Sequence, residues 1–86
     1  MSYRQRMIDK LTVAFRPTLL EVEDDSDRHL GHGGTHAEGE THFTIRIVST
    51  AFRGKTRLAR HRMINRVLAE ELGERVHALS IEADPE

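Results

Sequence analysis

The chain has 86 residues, of which 31% are charged, with a formal net charge of −1 and no cysteine. Such a length allows one small domain without a deep substrate cleft, and the missing cysteine excludes a disulfide framework, a thiolate nucleophile and any sulfur ligand from this chain, so histidine must supply any metal chemistry. The near-neutral balance excludes a strongly basic nucleic-acid binder but not a local basic patch, and the absence of a long apolar run predicts a cytoplasmic chain with no membrane partner.

In chain order, residues 2–16 carry Ile8, Leu11 and Phe15 at helical spacing between charged residues, which predicts an amphipathic helix. Pro17 ends it, because the residue before a proline avoids the helical region. Residues 19–23 alternate, with Leu20 and Val22 on one side, and read as a short strand. Residues 24–40 are polar and glycine-rich, hold His29, His32 and His36, and form a long loop. The string Gly31-His32-Gly33-Gly34 matches the G-x-x-G clamp of KH domains, but that clamp lies between helices and this one between strands, so the match is chance. Residues 41–49 return to a strand, with Phe43, Ile45 and Ile47 facing one way and His42, Thr44, Arg46 and Val48 the other.

A connector at residues 52–55 leads into a second helix, on which Leu58, His61, Ile64, Leu68 and Leu72 fall on one stripe. Thr56 suits its N-cap and Gly73 its C-terminal stop. Residues 76–81 then read as the last strand. The order helix, strand, strand, helix, strand predicts an α+β fold, a small three-stranded mixed sheet with two main helices on one face, as one domain over residues 1–86. Leu20, Val22, Phe43, Ile45 and Ile47 are expected to meet Ile8, Leu11, Phe15, Ile64 and Leu68.

The second helix is two-signed. Arg53, Lys55, Arg57, Arg60, Arg62 and Arg66 crowd its start, and Glu70, Glu71 and Glu74 its end, an order that opposes the helix dipole. The basic run is either a solvated face or a surface for duplex DNA. With only Phe52 nearby, it lacks a stacking platform, which predicts weak and salt-sensitive binding. No nucleophile–base pair or carboxylate dyad is recognisable, so no enzyme is expected.

Among the histidines, His61 lies on the apolar stripe and reads as a half-buried ring hydrogen-bonded to backbone or carboxylate. His42 projects from the outer face of its strand, and His77 opens the last strand. His29, His32 and His36 could gather around a metal, but a glycine-rich loop gathers almost any residues, and zinc needs a definite ligand set.

The segments H-F-T-I-R-I-V-S (42–49), F-x-G-K (52–55), R-H-R-M-I-N (60–65), L-A-E-E-L (68–72) and V-H-A-L-S-I (76–81) resemble the BolA family in order and spacing. The likeness extends to K-L-T-V-A-F (10–15) and L-E-V-E-D-D-S (20–26), while the loop is longer and richer in glycine and histidine than the family pattern. The resemblance implies a class II KH-like fold and an adaptor that binds a monothiol glutaredoxin. The pair would share a [2Fe–2S] cluster together with glutathione, none being expected in the isolated chain. It also implies that His29 and His77 are the metal ligands. For some members it implies transcriptional regulation through DNA, here through Arg53, Lys55, Arg57, Arg60, Arg62 and Arg66.

Overall fold

The computed structural model of the protein describes residues 2–25 and 40–86; His29, His32, His36 and the string at 31–34 lie outside them. Helix α1 spans Tyr3–Phe15 and opens at Ser2, whose Oγ accepts the Gln5 N–H at 3.0 Å, relieving one orphan donor of the first turn. It closes at Arg16, which takes a left-handed φ of 44° just before Pro17. Its buried residues are Met7, Leu11 and Phe15. Ile8, expected inside, is half-buried at the edge of the core, because spacing places Met7 on the same stripe equally well.

Strand β1 (Leu19–Asp24) pairs antiparallel with β2 (His42–Val48), and β2 pairs in parallel with β3 (Ala78–Asp84). The three-stranded mixed sheet therefore has the order β1-β2-β3, as the α-β-β-α-β pattern predicts. Phe43, Ile45 and Ile47 of β2 are fully buried. A 3-10 turn at Thr50–Phe52 follows, with Phe52 fully buried and its ring 5.0 Å from that of Phe15. Ser49 fastens this corner, donating its buried hydroxyl to Phe15 O at 2.6 Å and accepting the Ala51 N–H at 3.1 Å. Gly54 then turns the chain with φ 71°, a conformation that side-chain-bearing residues rarely take.

The predicted second helix is two. Helix α2 (Arg57–Val67), capped by Thr56 Oγ1 on the Ala59 N–H at 3.0 Å, ends at Leu68, and α3 (Ala69–Gly73) follows. Neither glycine nor proline marks the break. Ile64 and Leu68 are buried as the stripe predicts, but the next buried residue is Glu71, while Leu72 is only half-buried. The stripe has turned by one residue because Glu71 is held by α1. Leu58, assigned to the apolar stripe, is 59% exposed and lines a surface groove with Lys55, Arg62 and Arg66. The last strand also starts later than predicted and runs on to Asp84: Val76 enters the core outside the strand, and parallel pairing with β2 carries the ladder through the polar end, where Ser49 N–H bonds Asp84 O at 3.0 Å.

Candidate functional site

Two regions carry the candidate residues. The first is the end of the sheet where β2 and β3 begin. His77 is exposed and sits one residue before β3, not within it. Its backbone is nevertheless fixed: the His77 N–H donates to Thr41 O at 2.8 Å, and the N–H of its fully buried neighbour Val76 donates to Glu71 O at 3.1 Å. A solvent-facing imidazole thus stands on a rigid base. His42, half-buried at the start of β2, lies in register with Ala78, and its Nδ1 is 3.0 Å from Thr41 Oγ1.

The chain on either side of residues 26–39 is tied to this same end. Asp25 donates its N–H to His42 O at 2.8 Å, and Thr44 Oγ1 donates to Asp25 Oδ2. Glu40, with φ 62°, donates its N–H to Asp24 Oδ2 at 3.0 Å, while its carboxylate accepts the Arg4 N–H at 3.2 Å, near the start of α1. Both anchors lie beside the residues that position His77. Among the described residues, no three His, Asp or Glu side chains converge to hold a metal ion. The donors present suit part of a metal shell, an imidazole from His77, and not a complete one.

The second region is α2. The basic run does not form one surface. Lys55, Arg62 and Arg66 line a shallow groove of about 250 Å³ with Leu58 and Met63. Arg57 and Arg60 line a separate groove beside β3, with His61. Arg53 is exposed in the connector. Arg60 is committed to the fold: Nε donates to Lys55 O at 3.0 Å and Nη1 to Ala83 O at 2.9 Å, with Asp84 at 3.8 Å. Phe52, buried against Phe15, offers nothing for a base to stack on.

His61 is half-buried as expected but has no hydrogen bond to its ring among the described residues. Its replacement therefore removes contact area and not a buried polar pair. His61→Ala is expected to cost about 1 kcal/mol or less in urea unfolding; a loss of several kcal/mol would mean that the ring has a partner the structure does not hold.

Sequence reasoning missed Glu71. It is fully buried, with Lys10 Nζ 2.8 Å and Arg6 Nη2 3.0 Å from its Oε2. Glu70 and Glu74 extend the cluster: Lys10 reaches Glu70 at 2.9 Å, and Arg6 reaches Glu74 at 3.1 Å, with the Tyr3 hydroxyl donating to Glu74 at 2.9 Å. Hydrogen bonds to Glu71 and then Glu70 raise the Lys10 pKa above its ordinary value, and the hydrogen bond from Lys10 holds Glu70 below its own. The acidic run that the sequence places at the end of one helix lies instead in the first turn of α3 and just beyond it, and the basic face of α1 matches it. Its only sequence signal was that unfavourable charge order.

A sequence model of the family described as BolA-like protein matches residues 11–86. The DNA-binding transcriptional regulator BolA of Escherichia coli is 47% identical over 81 residues, which cover 94% of this chain and 73% of that protein. SufE-like protein 1 of Arabidopsis thaliana is 49% identical over 82 residues, 91% of this chain but 22% of that much longer protein. The solved BolA domain of SufE1 from Arabidopsis thaliana superposes with a TM-score of 0.87 at 47% identity, covering 99% of this chain and 93% of that one.

Proposed function

This chain belongs to the BolA-like protein family, and from that premise we propose that it is a non-catalytic adaptor that binds a monothiol glutaredoxin and shares a [2Fe–2S] cluster with it. The observation that carries this reading is His77, an exposed imidazole on a backbone pinned to Thr41 and, through Val76, to α3. A chain without cysteine cannot hold an all-thiolate cluster, so the partner must bring sulfur, from its own cysteine and a bound glutathione. This chain would contribute neutral imidazoles from His77 and His29. The latter is four residues beyond Asp25, a contour of at most about 14 Å from an anchor on His42. Anaerobic mixing with a monothiol glutaredoxin and glutathione, reading visible absorption and circular dichroism, tests this. A spectrum identical to that of the glutaredoxin alone would defeat it.

A second reading rests on the exposed cations Lys55, Arg62 and Arg66, which share one groove on α2. They suit the phosphates of duplex DNA, and the Escherichia coli relative is named for DNA binding. Three phosphate contacts imply that raising salt from about 50 to 200 mM weakens binding roughly 40-fold. Arg66→Ala is expected to lower affinity on all sequences alike. Arg60, occupied on β3, contributes to the fold first, so a loss in Arg60→Ala must be read beside its stability. Binding that is indifferent to salt would count against this reading.

A further inference from the structure

β3 is an edge strand, with β2 on one side and, among the described residues, no strand on the other. Its ladder to β2 uses alternate residues, as the bonds from Ala78 N–H to Thr41 O at 3.3 Å and from Ser49 N–H to Asp84 O at 3.0 Å establish. In a parallel pair, the N–H and C=O groups of Leu79, Ile81 and Ala83 are therefore turned to the open side. Arg60 takes one of them, donating to Ala83 O at 2.9 Å. Arg4 acts similarly on the opposite edge, where its Nε donates to Val22 O at 2.7 Å. On β3, Leu79 and Ile81 retain outward main-chain groups beside half-buried side chains.

Helix α2 runs along this open edge and encloses a groove of about 240 Å³, lined by Arg57, Arg60, His61, Ile81 and Ala83 together with Glu82 and Asp84. The acids on the strand wall have cationic neighbours, Arg46 at 3.8 Å from Glu82 and Arg60 at 3.8 Å from Asp84. Arg57, on the helix wall, is exposed and pairs with no carboxylate among the described residues. The groove thus combines unused strand donors and acceptors with an uncommitted guanidinium.

We propose that this groove binds an extended acidic peptide segment of a partner protein, added as a fourth strand along Leu79 and Ile81 with a carboxylate against Arg57. Main-chain hydrogen bonds to an edge strand supply affinity in this mode, and side-chain contacts supply choice. The exposed cation decides the sign of the peptide, and the half-buried Leu79 and Ile81 favour an apolar residue at alternate positions. The added strand would begin at Leu79, two residues beyond His77, and reach the groove at Ile81, where Arg57 lies, so the site adjoins His77 but requires neither cluster nor glutaredoxin.

The test titrates the isotope-labelled full chain with an N-acetylated hexapeptide amide of alternating glutamate and valine, followed by amide NMR. Saturable shifts and slowed hydrogen exchange are expected at Leu79 and Ile81. A peptide methylated on alternate backbone nitrogens, and one with lysine for glutamate, should each bind at least about tenfold more weakly. Arg57→Glu should produce the same loss. Ile81→Pro removes an outward N–H without touching the β2 ladder and should abolish binding; should that variant unfold, the methylated peptide makes the same test on the native chain. Equal binding of the methylated peptide, shifts confined to the Lys55, Arg62 and Arg66 groove, or no saturable shifts at millimolar peptide would each overturn the proposal. So would β3 shifts that follow the concentration of the chain alone, which would make the occupant a second copy, or tighter binding of an oligothymidylate at the same residues.

Discussion

Glu71→Ala is expected to lower the unfolding free energy by about 3 kcal/mol, toward the lower end of what breaking a buried pair costs, because both cations keep some contact with water. The carboxylate is fully buried and sits between Arg6 and Lys10, so its removal leaves two cations facing a cavity where an anion had been. The same change weakens the contact of α1 with α3, leaving it to Glu70 and Glu74, and Val76 leans on α3 through the Glu71 carbonyl. Glu70→Ala is the control: its side chain is 65% exposed, and its loss should leave the stability close to that of the parent. Urea unfolding of both variants measures the difference, and equal stability of Glu71→Ala and parent would show the buried pair to be dispensable.

The pH dependence follows from the shifts at Lys10 and Glu70. A carboxylate held below its ordinary value of 4.5 contributes stability that is present above that value and lost as pH falls through its folded pKa. An ammonium held above 10.5 contributes stability that is present below that value and lost as pH rises through its folded pKa. The contact between α1 and α3 is therefore at full strength across the neutral range and weakens at both extremes.

His77→Ala is expected to abolish the visible spectrum of the mixed complex with glutaredoxin while leaving the chain folded. The side chain is exposed, so truncation should change stability by no more than about 0.5 kcal/mol. Its backbone bond to Thr41 survives the change. His29→Ala should leave a labile cluster, since His32 and His36 follow closely in the chain and can substitute. Imidazoles bind metal in their neutral form, so assembly should weaken on acidification. Histidine in place of thiolate also raises the reduction potential, so the mixed complex should be reduced more easily than a glutaredoxin dimer. Unchanged absorption and circular dichroism in both single variants would discard the ligand assignment even with the complex intact.

The elements that were legible in advance are those whose signal is local. Alternation of Phe43, Ile45 and Ile47 requires only that one face of a strand be covered, and Thr56 caps α2 through a donor three residues away, so neither depends on distant chain. The last strand was legible too, although the pattern put His77 inside it and the structure puts His77 one residue before it. The remainder was decided between segments far apart in sequence. Leu72 and Glu71 are neighbours, and hydropathy chooses the leucine for the core, yet Arg6 and Lys10, more than sixty residues earlier, draw the carboxylate inside and bend the helix at Leu68. Arg57, Arg60, Arg62 and Arg66 read as one basic run, but a helix turns successive residues through about 100°, and β3 lies along only one side of α2. Which arginine grips the sheet, which faces the groove at its edge and which remains for solvent is therefore a property of the packed fold: periodicity fixes the direction of a side chain on its own helix, and only the neighbouring strand supplies the carbonyl that holds Arg60.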